Sequence, residues 1–403
     1  MAVAATAGRI GNTPAHQPRA ARRAVLTVFA CNGAGLSTWF PHIPEIQRKL
    51  DLSDGALGLA LLGTPIGALL AMPLSSALIG RFGSRRVTLT AAMILFVSLP
   101  LPALAPGLPL LIAALALLGA GNGVLDVAMN VQAVAVEERY RRPIMSTFHG
   151  VFSVGGLAGA LVAVAVTALG VEAAPHLAFM AVILAVIVLR VVAPHLLPDN
   201  PANRAEVRGS HGGFTWPSRA LLRLGVVAFC VLVGEGAMAD WSAVYLRNTL
   251  DTGAGFASAG FAVFSSMMAL GRLTGDKMTA RVGPVAMLRY GGIIVAVGLG
   301  LALASANPYA ALVGFACVGL GLAAGFPIAI SAAGRVPGVP SGSALTAVTT
   351  VGYAGFLAGP PIIGLLSEVS SLRLALGVVV VLGGVIVLLS PTVAPRPSDA
   401  PTG

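Results

Sequence analysis

Residues 155–159 read Gly155-Gly156-Leu157-Ala158-Gly159, and residues 355–359 read Gly355-Phe356-Leu357-Ala358-Gly359. The two strings stand 200 positions apart in a chain of 403. The same register relates Gly119 and Gly121 to Gly319 and Gly321, and Arg81-Phe82-Gly83 to Arg281-Val282-Gly283. Trp39 and Trp241 follow at an offset of 202. One glycine-rich coincidence means little, but four in nearly one register read as a duplicated half. A parallel repeat of this kind predicts two helical bundles related by a pseudo-twofold axis along a membrane normal, with a site between them.

Composition places the repeat in a bilayer. Charged residues make up 10% of the chain and the AVILMFWYC set 56%, with a mean hydropathy of +0.89. Ordinary soluble domains carry about 25% charged residues. A spanning helix needs about 20 apolar residues. Twelve runs qualify: about 25–43, 55–79, 88–105, 108–131, 145–168, 175–195, 221–246, 255–275, 286–305, 308–331, 343–366 and 372–391. Ser53-Asp54 offers an N-cap to the second run, and Pro106, Pro143, Pro175, Pro284 and Pro308 mark other helix starts. The expected fold is an all-α membrane protein of twelve transmembrane helices in two six-helix bundles.

The longest connection, 196–220, is polar and rich in Gly and Pro. It separates an N-terminal bundle (25–195) from a C-terminal bundle (221–391), with tails at 1–24 and 392–403. Arg22-Arg23 before the first apolar run resembles the start of a signal peptide, but eleven further runs favour an uncleaved first span. The net charge of +10 is not a nucleic-acid signal, because the basic residues cluster in the loops between runs. Twenty Lys and Arg fall on the side of the termini and 4 on the other. That asymmetry predicts both termini in the cytoplasm and a multi-pass protein of the cell inner membrane. Cys31, Cys230 and Cys317 lie inside apolar runs and read as small core residues, with neither metal-ligand nor disulfide spacing.

Acids within spans are expensive, so each is a functional candidate. Three lie well inside: Asp126, Glu235 and Asp240. Asn122, Asp126 and Asn130 fall at i, i+4 and i+8, on one face of the fourth span. Such a stripe must meet a partner helix or a wet cavity, as a titrating or substrate-binding group or as an interhelical clamp. His149, early in the fifth span, is expected near the depth of Asn130, where it relays protons or donates a hydrogen bond. Glu235 falls near mid-membrane and Asp240 about 7 Å further out, about 140° around the helix. Trp39 and Trp241 either bracket the outer mouth of a cavity or belong to an interfacial belt.

Residues 74–89, LSSALIGRFGSRRVTL, resemble the loop 2–3 signature of the major facilitator superfamily, G-x-L-x-D-R-x-G-R-[RK]. Arg81, Gly83, Arg85 and Arg86 fit its basic turn; Gly80 replaces the Asp and Ser76 the first Gly. The partner loop keeps Gly271-Arg272-Leu273, Asp276, Arg281 and Gly283. The resemblance implies gating roles for Arg81, Gly83, Arg85, Arg272, Asp276 and Arg281, with an Arg272–Asp276 contact closing an inner gate. Asp126 with Asn130, and Phe148-His149, are similar to the fucose-permease branch; here His149 stands in place of that branch's span 5 Asn, and Asn32-Gly33 lies where the branch has a span 1 acid, which is absent from this chain. Met129 to Gln132 and Glu235 to Trp241 look more like its MosC/YbjJ-type subgroup, which is associated with a sugar-like inositol derivative.

These readings converge on a secondary transporter working by alternating access. It would move a small polar, sugar- or polyol-like solute, coupled to protons through Asp126, Glu235 or both, with Asn32, Asn122, Asn130, His149, Asp240, Trp39 and Trp241 around the site. The alternative is a proton antiporter exporting a drug-like or secondary metabolite. The span 5 motif of such exporters lacks its proline here; a similar string, Gly355 to Gly364 with Pro360 and Pro361, lies in span 11. No phosphate-binding loop, HExxH or G-x-S-x-G motif occurs, so no ATP drive, metal, cofactor or enzymatic activity is expected. The expected partners are a small-molecule substrate, protons and the lipid bilayer, around a monomer.

Overall fold

The computed structural model describes residues 17–140, 144–198, 218–337, 339 and 341–394. Twelve helical columns run up and down through it. Span 1 is Gln17–Trp39, and span 2 is Asp54–Leu61 continued by Gly63–Phe82. Span 3 is Ser84–Leu104, span 4 Leu108–Tyr140, span 5 Met145–Ala168 and span 6 Ala173–Val192. In the second half, span 7 is Arg219–Thr249, span 8 Ala254–Val282, span 9 Pro284–Ser305 and span 10 Pro308–Ala333. Span 11 is Ser341–Val369 and span 12 Leu372–Val393. Twelve crossings leave both ends of the described chain on one face, called here the termini face.

Eleven of these columns are long and apolar enough to cross a membrane, among the described residues. Span 1 is the exception, because Arg22, Arg23 and Asn32 dilute its apolar run. Packing makes it the twelfth member: Ala24, Val25, Val28 and Phe29 are fully buried. It starts eight residues before the expected boundary, since Ala21 is also buried and the Arg22 guanidinium stacks 5.5 Å from the Tyr140 ring centroid. Span 4 likewise extends past its apolar run to Tyr140.

Local chemistry sets the ends. Ser53 Oγ accepts from the Ala56 N–H at 3.2 Å, as its sequence position predicts. Asn307 Oδ1 accepts from the N–H groups of Tyr309 and Ala310, ahead of Pro308 at the first helical position. Pro175 instead sits inside the first turn of a helix that starts at Ala173, and Pro106 precedes one that starts at Leu108. Pro143 lies outside the described residues.

The repeat is visible in the backbone. Gly83 and Gly283, 200 positions apart, end spans 2 and 8 with φ of 85° and 84°. Asp51 and Asp251, again 200 apart, share φ of 49° and 50° just before spans 2 and 8. Within the halves, glycines allow backbone contact. A Cβ on Gly67 would overlap the Ala116 carbonyl, and one on Gly119 the Thr64 carbonyl, so spans 2 and 4 touch along their small residues. Cys31 and Cys230 are buried in the core, and Cys317 is half-buried. Apolar side chains such as Leu70, Leu169 and Leu388 point outward, the surface expected against lipid.

The halves meet through spans 5 and 8, and through spans 2 and 11. Gly58 and Gly364 bring the second pair together at backbone distance.

Candidate functional site

Among the described residues, four hydrogen bonds join the halves, all at the face opposite the termini. Thr167 and Ser258 share one at 2.8 Å, and Asn248 Nδ2 donates to Gln47 Oε1 at 2.9 Å. The Gly55 N–H donates to Glu368 Oε2 at 2.8 Å, and the Ser367 hydroxyl donates to Asp54. Phe40 and Phe261 add a ring contact at 4.8 Å. This end of the molecule is sealed. Further in, His149, Arg272 and Tyr353 are exposed in the interior stretches of spans 5, 8 and 11. The cleft between the halves therefore opens toward the termini face.

Spans 4 and 5 form its N-terminal wall. Asn122, Asp126 and Asn130 are all half-buried along span 4. Asn130 Nδ2 donates to the Asp126 backbone carbonyl at 2.8 Å and to its Oδ1 at 3.3 Å. The buried Asn122 Oδ1 has no hydrogen-bond partner among the described residues. His149 lies within electrostatic reach of Asp126. Its ring meets Phe29 edge-on at 5.3 Å, and Phe29 also stacks on Phe148 at 5.7 Å. Asn32 is buried behind this wall, its Nδ2 3.9 Å from Met129 Sδ and its Oδ1 without a partner among the described residues.

Spans 7, 8 and 11 form the other wall. Arg272 Nη2 donates to Glu235 Oε1 at 2.8 Å. The Glu235 side chain is 16% exposed and that of Arg272 38%, so the pair lies at the cleft surface rather than in a dry core. The sequence pairs Arg272 with Asp276 at an inner gate; the guanidinium is engaged with Glu235, and the Asp276 side chain lies outside the described residues. Tyr353 of span 11 feels both the Asp126 and the Glu235 carboxylates, one from each half. Sequence reading passed over Tyr353. Its signal was weak: one of five tyrosines, in a span without acids before its last turn.

The remaining candidates fall elsewhere. Asp240 is half-buried on span 7, with no hydrogen bond to another described residue. Trp39 and Trp241 are buried at 3% and 0% exposure, so neither is a belt residue nor a rim of an open mouth. They are packed shut near the sealed end. Arg81 is exposed over the Phe82 ring, Gly83 supplies the positive-φ turn, and Arg281 is exposed at the matching turn. Arg85 Nη2 donates to the Ala193 carbonyl at 2.8 Å, tying the span 2–3 turn to the end of span 6.

A second polar cluster sits at the sealed end, unforeseen from sequence. His42 Nε2 lies 2.7 Å from His176 Nδ1, with both rings buried. His42 Nδ1 lies 3.3 Å from Glu45 Oε2, and His176 Nε2 lies 3.4 Å from Thr38 Oγ1. Glu45 also accepts from the Ala173 N–H at 2.9 and 3.1 Å, at the N-terminus of span 6. Burial pushes the Glu45 carboxyl up. The His42 and Ala173 hydrogen bonds and the His42 and Arg48 charges outweigh it and hold the pKa below the usual 4.5.

Comparison with known proteins agrees with this architecture. The family profile described as Major Facilitator Superfamily matches residues 25–340. An uncharacterized MFS-type transporter of Yersinia pestis is 39% identical over 88% of this chain and 91% of its own length. The membrane protein MosC of Rhizobium meliloti is 35% identical over 91% of this chain and 88% of its own. Among solved structures, the nucleoside transporter NupG superposes with a TM-score of 0.68 at 14% identity, covering 93% of this chain and 98% of NupG. A D-xylose-proton symporter gives 0.67 at 15% identity, over 92% and 96%. The chain belongs to the major facilitator superfamily and is a multi-pass membrane transporter rather than an enzyme.

Proposed function

We propose that the protein moves a small polar, sugar- or polyol-like solute by alternating access coupled to proton binding, with both termini in the cytoplasm. The conformation is then the inward-open one. The observation that carries this reading is the Glu235–Arg272 pair at the cleft surface, facing Asp126 and His149 across the cleft near Tyr353.

The wall chemistry favours a polar solute. Asn122, Asn130, His149 and Tyr353 offer amide, imidazole and phenol groups, while the aromatic rings of Phe29 and Phe148 lie behind. A hydroxylated solute satisfies such groups; an apolar one would leave them desolvated and unpaired.

The coupling follows from charge. Protonating Glu235 removes the counter-charge of Arg272 and leaves a guanidinium facing the cleft. That cation then turns to the Asp126 carboxylate or to solute hydroxyls, so proton and solute occupancy favour a common closed state. Asp126 supplies the second titratable group, from the other half.

Reconstituted vesicles test the reading. Wild-type protein should accumulate labelled myo-inositol or D-xylose when an inward proton gradient is imposed, and lose accumulation when a protonophore collapses it. Efflux of cationic dyes under the same gradient, with no polyol or sugar movement, would instead assign the exporter reading.

A further inference from the structure

The sealed end holds a cavity unrelated to the central cleft. Its volume is about 510 Å³, and it lies between the halves: Glu45, Arg48, Lys49 and Glu172 line it from the N-terminal half, Arg247 and Ala257 from the C-terminal half.

Its lining carries a net positive charge: Arg48, Lys49 and Arg247 against Glu45 and Glu172. Arg48 and Arg247 come from opposite halves and lie close enough for their positive charges to oppose each other. Among the described residues, neither guanidinium makes an ion pair. Arg48 Nε donates to the Pro44 carbonyl at 3.2 Å, and Arg247 Nη1 donates to that of Thr252. The buried Arg247 Nε has no partner among the described residues. Lys49 Nζ adds a third cation, held 2.7 Å from the Ala103 carbonyl. The Glu45 carboxylate, bonded to His42 and the Ala173 N–H, also attracts Arg48, and Glu172 is the second carboxylate of the lining. Two guanidiniums facing each other across an interface cost Coulomb energy unless something negative lies between them. Planar forks with unused donors match the oxygens of a phosphate or carboxylate.

We propose that this cavity is a second ligand site, specific for a small oxyanion such as a phosphate or carboxylate group, clasped between Arg48 and Arg247. The site is complete only while the halves are joined at this face, because its two clasping residues belong to different halves. An anion bound there strengthens the seal and resists opening on that side. The inference stands apart from the central cleft and from any view of its substrate.

Titrating inorganic phosphate into purified protein in a non-ionic detergent at constant ionic strength tests the proposal. Saturable binding is expected, weakened roughly tenfold or more in both Arg48→Gln and Arg247→Gln. Partial recovery is expected in Arg48→Lys and Arg247→Lys, which separates lost charge from misfolding. Lys277→Gln, outside the cavity, should bind as wild type. Repeating the titration in phosphatidylcholine nanodiscs with and without phosphatidylglycerol identifies the source: competition by the anionic lipid assigns a headgroup, and its absence a soluble anion. Absence of saturable binding beyond a chloride control overturns the proposal. So does binding retained in either glutamine variant, or lost in Arg272→Gln instead.

Discussion

The Arg272 guanidinium lies 2.8 Å from the Glu235 carboxylate, joining spans 7 and 8 at the surface of the cleft. Neither charge is stable alone in a membrane interior, so each accounts for the presence of the other. Glu235→Gln should abolish proton-driven accumulation while leaving solute counterflow, because the binding surface survives and the titratable group does not. Counterflow lost together with accumulation would remove Glu235 from the coupling role. The double variant Glu235→Gln/Arg272→Gln should unfold at a higher temperature than Glu235→Gln alone, since it no longer strands a guanidinium.

The Gly55 N–H donates to Glu368, so a carboxylate of span 11 sits on the N-terminus of span 2 in the opposite half. This contact must break for the sealed face to open. Glu368→Gln should shift the population toward the state open on that face. The carboxylate is exposed, so the bond is worth about 1 kcal/mol and the shift is roughly fivefold. Distance measurements between spin labels placed on spans 2 and 11 read this directly; unchanged distance distributions would show that Glu368 plays no part in the seal.

Much of this architecture was legible in the sequence, for reasons tied to particular residues. The offset of 200 between Arg81-Phe82-Gly83 and Arg281-Val282-Gly283 reappears as two positive-φ turns. The i, i+4 spacing of Asp126 and Asn130 reappears as a hydrogen bond within one helix. Both are local, and local geometry follows from spacing. What lay hidden is tertiary. The partner of Arg272 depends on which face of span 8 meets span 7, and no periodicity within span 8 states that. His42 and His176 are 134 residues apart, and each alone is an ordinary histidine. Asp51 and Asp251 also stand 200 apart, but an aspartate before a helix is common enough that its conformation shows only in the backbone.

The close approach of spans 2 and 4 sets a steric limit. Gly119→Ala drives a Cβ into the Thr64 backbone carbonyl, which cannot move aside as a flexible side chain would. Overpacking of this kind costs about 1–3 kcal/mol. Gly107→Ala, with nothing within 4 Å of its added Cβ, is the matched control. Thermal unfolding in detergent should therefore show a clear fall for Gly119→Ala and little change for Gly107→Ala. Equal midpoints would mean that the two helices have room to part.

Glu45 gives the sealed end an acid limit. Its folded pKa lies below 4.5, so between the two values the unfolded chain binds the proton and the folded one does not. The contribution of Glu45 is then complete above about pH 4.5 and is lost as pH falls through the folded value. Half-exposure limits it to about 1 kcal/mol or less. Glu45→Gln should lower the unfolding midpoint at pH 6 to 7 and flatten its decline toward pH 3, so that the two proteins converge in acid. A constant gap between them across that range would mean that Glu45 acts by packing against span 6 and not by its charge.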